Sequence, residues 1–513
     1  MIKADNPIMS SDYPDPDIIR VGDTYYMVST TMHFMPGCPI LRSYDLVNWE
    51  IVSYVYDTLE SNKKHSLESD KNIYGSGMWA ATLRHHKGRF YTCFASNDMN
   101  KTYLFVTDNI EGSWERRGIE GFYYDCSLLF DDDDRVYIVH GHGDIHITEL
   151  RPDLSGPLEG GLNRVILSDE KGIPLGYEGS HMYKLWGKYY LFTIHAPEKD
   201  KFFRTEACFV SDSLDGEFKG GDIVHDDLGF FGNGAAQGGI VDTPDGQWYM
   251  FLFQDRGAVG RIPVIVPIKW ENNFPVIEGI PQTLAVNSTK PEHIYEALWG
   301  SDDFSYKPGE KLKRFWQWNH NPDNGGWNAG EGRLEITTDK VCFNLCQAKN
   351  TLTQRSAYPR CSAEVTVSAS RLNEGDYCGL AALQSNYGAI ALTKRNGKTV
   401  LVMMARQKPS GSCAHTYNTG IRCDNDLPTE YESIVLDSDN IRIGVYFDFT
   451  DLRDEAEFYY YADGEKRKTG ITHKLYFWLD HFTGCRFALF AYSSKKAGGI
   501  AEFSDFVYNA EDN

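Results

Sequence analysis

The sequence predicts an all-β chain: a five-bladed β-propeller followed by a β-sandwich domain. A polar turn running into an aromatic strand recurs five times in the first half. The copies read Gly22-Asp23-Thr24-Tyr25-Tyr26-Met27, Lys87-Gly88-Arg89-Phe90-Tyr91-Thr92, Asp133-Asp134-Arg135-Val136-Tyr137-Ile138, Trp186-Gly187-Lys188-Tyr189-Tyr190-Leu191 and Asp245-Gly246-Gln247-Trp248-Tyr249-Met250. Successive Tyr positions lie 65, 46, 53 and 59 residues apart. Loose β repeats of that length read as propeller blades. From Trp270 to about Gly300 the phrase stops, and beyond it plain alternating strands take over.

The elements follow in order. Residues 1–295 carry the repeats and form the predicted propeller. Ser43-Tyr44-Asp45-Leu46-Val47-Asn48-Trp49, Thr107–Trp114 and Ser211–Phe218 are polar turns leading into an aromatic, as expected between the outer strands of a blade. From Trp270 to Gly300 the chain carries Pro275, Pro281 and Pro291 and reads as a connector. Residues 301–513 are the predicted sandwich. Its strands alternate, as in Ala363-Glu364-Val365-Thr366-Val367-Ser368 and Asn440–Tyr446, between Gly-rich and Asn-rich turns.

Size and composition agree. A chain of 513 residues exceeds one ordinary core. The 14% aromatic content suits both β packing and flat sugar-binding surfaces. A net charge of −21 argues against nucleic acid or an anionic membrane as partner. The opening Met1-Ile2-Lys3-Ala4-Asp5 has no secretory h-region, and no apolar stretch of 18 residues occurs. The eleven Cys are scattered, mostly among apolar neighbours, and read as buried thiols of a cytoplasmic protein.

The repeat also places chemistry. Counting back from each Tyr, Asp15 lies 11 residues ahead of Tyr26, and Trp79, Asp125, Glu178 and Gln237 lie 12 ahead of theirs. Those five positions are expected at the innermost strands, around one funnel. Converging carboxylates on a rigid scaffold suit acid–base chemistry on a neutral polar substrate. Asp15 sits between Pro14 and Pro16, which stiffen its backbone; a surface turn is the rival reading. Glu178, in Gly176-Tyr177-Glu178-Gly179, suits a sheltered acid with a raised pKa; an ordinary strand-end Glu is the rival. Asp125 would tune a neighbour's pKa, or else simply hydrogen-bond at a strand start. Trp79 and Phe34 are candidates to stack on a sugar face, and His33 and Gln237 are further substrate-binding candidates. Arg261 would bind a hydroxyl or orient Asp15, against a plain salt bridge. The Asp131–Asp134 run lacks the Gly and distal Glu of a calcium loop and reads as a solvated hairpin tip. No metal ligand set is assigned and no cofactor is expected; a structural calcium ion has no support in the sequence.

The phrases Asn6-Pro7, Tyr13-Pro14-Asp15-Pro16-Asp17-Ile18-Ile19-Arg20, Tyr123-Tyr124-Asp125-Cys126-Ser127, Glu178-Gly179-Ser180-His181-Met182-Tyr183 and Gln237-Gly238-Gly239-Ile240 together resemble glycoside hydrolase family 43. The resemblance implies Asp15 as general base, Glu178 as general acid, Asp125 as pKa modulator and Arg261 as the Arg beside the base. Phe315-Trp316-Gln317-Trp318-Asn319-His320-Asn321-Pro322-Asp323 and Phe482-Thr483-Gly484 resemble the sandwich attached to the xylosidase-like branch, in which a loop aromatic closes the pocket; Phe482 is the candidate. The chain departs from common family patterns at Ala81, Ser180 and Ala236, and Ala236 weakens any expectation of an axial calcium or water site.

What this implies is inverting, exo-acting removal of terminal α-L-arabinofuranosyl or β-xylosyl residues from xylo- or arabinoxylo-oligosaccharides. The phrases around Glu178 and Gln237 lean towards arabinofuranosidases. A β-xylosidase, a bifunctional enzyme and a sugar-binding propeller without catalysis stay open. A retaining enzyme on fructosides is the further rival; it needs carboxyls only about 5–5.5 Å apart.

Overall fold

The computed structural model describes residues 1–69, 71–407 and 425–511. The first half forms five four-stranded antiparallel sheets in chain order. Blade one holds Asp17–Val21, Thr24–Val28, Gly37–Ser43 and Glu50–Tyr56; blade two holds Trp79–His86, Arg89–Ser96, Lys101–Thr107 and Glu115–Ile119. Blade three holds Ser127–Phe130, Val136–His142, Asp144–Leu150 and Asn163–Ser168; blade four holds Leu175–Leu185, Lys188–Ala196, Thr205–Ser211 and Lys219–Val224. Blade five holds Ile240–Asp242, Trp248–Asp255, Arg261–Glu271 and Phe274–Val276. Each repeated phrase is the turn into a second strand, whose Tyr packs between neighbouring sheets.

The ring is closed beside the last blade. Ile2–Asp5 pairs with Thr283–Val286, and Asn6 exchanges hydrogen bonds with the Ile265 backbone. At the axis one buried network joins the inner strands. Arg84 of blade two donates to Asp17 Oδ2 of blade one at 2.7 Å, to Ser127 Oγ at 2.7 Å and to the Leu128 carbonyl of blade three at 2.8 Å. His181 Nδ1 of blade four meets Asp17 Oδ1 at 3.2 Å, and Tyr183 Oη accepts from the Ile240 amide of blade five. Burial alone would raise the Asp17 carboxyl; the Arg84 and His181 charges overcome it and hold Asp17 well below the usual carboxylate range.

The second half is a two-sheet sandwich. One sheet has eight strands in the order Thr429–Val435, Lys398–Ala405, Gly388–Arg395, Asp376–Leu383, Arg486–Ser493, Leu352–Arg355, Gln317–Asn319 and Phe34–Met35. The other has seven, running from Trp327–Gly330 to Glu465–Lys474. Arg360–Arg371 alternates buried and half-buried along most of its length, so Val365 and Val367 meet Phe447, Phe487 and Leu380 in the core. The last strand of the larger sheet, Phe34–Met35, comes from within blade one, so the propeller contributes a strand to the sandwich.

Asp12 strengthens the join. Its Oδ1 accepts from the Arg261 amide, and its Oδ2 accepts from the Gly484 amide of the sandwich. A Cβ on Gly484 would fall 2.1 Å from the Val259 carbonyl, so only glycine permits that approach. No helix among the described residues is long and apolar enough to cross a membrane.

The axial network sets one expectation. Arg84→Met leaves Asp17 buried against a neutral side chain, a loss of about 3–5 kcal/mol for a broken buried pair. Urea unfolding is expected to show it as a lower midpoint; an unchanged midpoint would show that the network is dispensable.

Candidate active site

Just above the axial network every inner strand is deformed in the same way. Four residues on the inner strand face three on its partner: Pro14 to Asp17 against Thr30 to Val28, Trp79 to Thr82 against Ala95 to Cys93, Tyr124 to Ser127 against Gly141 to Val139, Glu178 to His181 against Ile194 to Phe192, and Ala236 to Gly239 against Phe253 to Phe251. These are five β-bulges. Each has its first extra residue at positive φ: Asp15 53°, Ala80 27°, Asp125 44°, Gly179 62° and Gln237 59°. A non-glycine residue at positive φ is sterically costly, so these bulges hold local strain where the acids stand.

The bulges correct the count made from the sequence. Asp15, Asp125 and Gln237 are equivalent, but Trp79 and Glu178 each stand one residue earlier, beside Ala80 and Gly179. The reason is loop parity. Blades one, two and four close their first hairpin with two-residue turns, whereas blades three and five use five-residue loops, Asp131–Arg135 and Thr243–Gln247. The odd-length loop adds one residue between bulge and Tyr.

The bulges gather three acids. Arg261 Nη1 donates to Asp15 Oδ1 at 2.9 Å, with both side chains buried. Asp125 is buried; Gln237 Nε2 lies 3.5 Å from its Oδ2, and its Oδ1 has no hydrogen-bond partner. Burial, then the charges of Glu178 and of Asp15, push the Asp125 carboxyl well above its usual range, with Arg261 opposing them. Asp125 therefore feels both of the other acids. Glu178, 13% exposed, has its Oε2 2.7 Å from His142 Nδ1 and accepts from Tyr124 Oη at 3.4 Å.

Gln237 holds the centre in register. A Cβ on Gly179 would strike its side chain at 2.6 Å, so the Gln237 amide lies across the glycine beside Glu178. Its backbone N–H donates to Glu206 Oε2 at 2.7 Å. Burial pushes Glu206 up to about 8, so it is protonated through the neutral range.

The wall comes from both domains. Phe482, on the sandwich segment pinned by Gly484, lies with its ring 4.3 Å from the Arg261 guanidinium and 5.4 Å from Trp79. Met32, at φ 52°, joins them in one apolar cluster, with Tyr124 packed against it. His33 and Phe34 do not join it. Phe34 is 2% exposed, with the Arg486 guanidinium 3.4 Å from its ring, so the expectation that it offers a sugar face is corrected. The positive φ at Met32 turns the chain and sends Phe34 into the interdomain core. His33 is buried there too, against Phe34, Tyr74, His320 and His481. The Asp131–Asp134 run is solvated only in part: Asp131 is buried, bonded to Lys184 and to Tyr189 Oη. The sequence reading missed Met32, His142 and Glu206. Of these, His142 carries a signal, a lone His between Gly141 and Gly143 at the end of a second strand.

This site can couple proton removal at Asp15 with proton donation at Glu178. Among the described residues no group of three or more His, Cys, Asp or Glu is placed to hold a metal ion. Asp125 separates stability from activity. Its folded-state carboxyl is raised, so its contribution is full below the unfolded value and lost as pH rises towards the folded one. Asp125→Asn is therefore expected to raise Tm at pH 7–8, by about 1 °C per kcal/mol regained for a chain of this length, while hydrolysis falls. The gain closes as pH drops towards 4; a lower Tm at neutral pH would contradict the placement.

A family model described as glycosyl hydrolases family 43 matches residues 4–275, and one described as a beta xylosidase C-terminal concanavalin A-like domain matches residues 301–509. The chain is 29% identical over 382 residues to a beta-xylosidase of Formosa agariphila, a match covering 66% of this chain and 62% of that protein. It is 25% identical over 422 residues to a non-reducing end alpha-L-arabinofuranosidase of Bacteroides ovatus, with 78% and 77% covered. A solved bifunctional GH43-CE structure of Bacteroides eggerthii superposes at TM-score 0.89 and 38% identity, over 99% of this chain and 64% of that one. A GH43 glycoside hydrolase whose engineered active site displays both endo-xylanase and exo-arabinofuranosidase activity superposes at TM-score 0.87 and 28% identity, over 99% and 100%. The chain spans under two thirds of the Formosa protein and of the Bacteroides eggerthii chain. Its repeats, its three gathered acids and the match over residues 4–275 agree: the chain belongs to glycoside hydrolase family 43.

Proposed function

We propose that this chain is an inverting, exo-acting glycoside hydrolase that releases terminal α-L-arabinofuranosyl or β-xylosyl residues from arabinoxylo-oligosaccharides. The observation that carries the reading is the gathering of buried Asp15 and Asp125 with half-buried Glu178 in mutual electrostatic reach, together with polar groups the protein leaves unmatched. Arg261 Nε and Nη2, Asp125 Oδ1 and Ser180 Oγ are buried without hydrogen-bond partners. Unmatched buried donors and acceptors are costly, and sugar hydroxyls would satisfy them.

Asp15 is the general base in this reading. Arg261 engages Oδ1 and leaves Oδ2 to take a proton from water. Glu178 is the general acid, donating from Oε1, since Oε2 is engaged. Burial, then the charges of Glu178 and Asp15, hold the Asp125 carboxyl above its ordinary range beside the acid. Inversion needs roughly 6.5–9.5 Å between acid and base for the water. Trp79, Met32 and Phe482 supply apolar surface beside the acids, and Arg261 and Gln237 supply donors. The mechanism runs on side chains and invokes no cofactor.

Relatives named for xylosides and for arabinofuranosides both occur, which supports a pocket accepting either sugar. The phrases around Glu178 and Gln237 favour arabinofuranosides. Described cysteines such as Cys38, Cys208, Cys361 and Cys378 are buried free thiols, which supports action in a reducing cytoplasm.

Asp15→Ala and Glu178→Ala are each expected to lower kcat on aryl arabinofuranosides and xylosides by about 10²–10⁴-fold with the fold intact by circular dichroism. Near-normal turnover by either variant rejects the assignment. Proton NMR of the first-formed sugar is expected to show the inverted anomer; retention would reassign the mechanism.

A further inference from the structure

His142 stands outside the roles assigned so far, yet it is firmly built in. It ends the second strand of blade three, between Gly141 at φ 139° and Gly143 at φ 74°. The Gly141 amide donates to the Tyr124 carbonyl at 3.0 Å, next to Asp125. The Gly143 amide donates to the Tyr177 carbonyl at 2.8 Å, next to Glu178. A Cβ on Gly141 would fall 2.1 Å from the Asp144 carbonyl, so the tip admits no other residue there without moving. The strand tip is thus clamped to the backbone beside two of the three acids, and it carries the imidazole to 2.7 Å from Glu178 Oε2. The ring is 57% exposed, so water reaches it while Glu178 stays sheltered.

We propose that His142 is the positioning residue of the acid: its Nδ1–H donates to Glu178 Oε2, fixes the transferable proton on Oε1, and stabilises the carboxylate left when the leaving sugar departs. This rests on Glu178 being the general acid. In the step itself the Oε1 proton passes to the glycosidic oxygen, which takes the electron pair of the breaking C–O bond. Water attacks the anomeric carbon and loses its proton to Asp15. Asp15 then releases that proton to solvent, and Glu178 regains one from it. A hydrogen bond to Oε2 strengthens as charge develops, so its benefit falls in the transition state.

The charges around His142 allow this role. Glu178 faces it from blade four, and Tyr124 packs edge-on from the loop entering blade three, with ring centroids 6.1 Å apart. Asp144 pairs with it across its own hairpin. Asp169, whose amide donates to the Gly143 carbonyl, is engaged by His195 Nδ1 at 2.8 Å. The Glu178 hydrogen bond, against burial, lifts His142 above the ordinary imidazole range.

The test uses the full-length protein and two substrates with one glycone: a 4-nitrophenyl glycoside, whose leaving group needs little protonation, and an oligosaccharide, whose leaving sugar needs a proton. His142→Phe removes the donor and keeps a ring; His142→Gln restores an N–H without a charge. His142→Phe is expected to lose kcat on the oligosaccharide about 10-fold more than on the aryl glycoside, a share of the 10²–10⁴ that a general acid supplies. KM should stay within a factor of about two. His142→Gln should recover part of the loss. Equal losses on both substrates, or a rise in KM alone, would overturn the proposal; the second outcome makes His142 a contact to the leaving sugar. Glu178→Gln runs alongside. If it keeps oligosaccharide hydrolysis, the general-acid reading fails; if it loses hydrolysis while His142→Phe behaves as wild type, only the role of His142 fails.

Discussion

The buried pair of Asp17 and Arg84 is the constraint on which the site depends. Five sheets around an axis present five inner edges, each with backbone groups that need partners away from water. Here a single guanidinium spans three blades, and Asp17 adds His181 of a fourth. The hub fixes the spacing of the inner strands. Since each bulge begins within three residues of that level, the hub also fixes where Asp15, Asp125 and the Glu178 strand end. The acids are held by the axle beneath them more than by contacts with one another, which would repel them.

Above the hub, strain and function coincide. The same bulge occurs in all five blades, so it belongs to the propeller and not to any one residue. What differs is the side chain it carries. Ala and Gly occupy it in blades two and four, Asp in blades one and three, and Gln in blade five. The small residues make room: without a side chain at position 179, Gln237 can lie across blade four and reach towards Asp125. The centre is a five-position ring in which two members are kept small so that the others can meet.

Much of this was legible in the sequence. The Tyr phrase exposed the blades because a buried aromatic on every second strand is a requirement of sheet-on-sheet packing. Asp15 and Asp125 stood out because Pro-Asp-Pro and Tyr-Tyr-Asp mark a stiff entry and a sheltered one. The equivalence of Glu178 and Trp79 was misread by one residue, because hairpin length, odd or even, does not show in the spacing of aromatics. Phe34 was misassigned because a positive φ at Met32 turns the chain and seats Phe34 among sandwich residues, which its residue type does not show. Glu206 was invisible for another reason. It lies on a third strand and matters only through the backbone amide of a residue 31 positions away. Contacts that run through main-chain atoms leave no trace in residue type.

The strand Phe34–Met35 binds the two halves into one hydrogen-bonded body. With Asp12 tied to Gly484 and Phe482 seated on Arg261, neither half keeps its native edge if the other is lost. The thermodynamic consequence is cooperativity between modules: heat should dissolve propeller and sandwich in a single calorimetric transition. Chemistry and fit are nevertheless assigned to different halves. On the proposed mechanism the acids ride on the ring and the capping aromatic rides on the sandwich, so substitutions in the sandwich segment that carries Phe482 would reshape which sugar fits while the proposed proton-transfer groups keep their places.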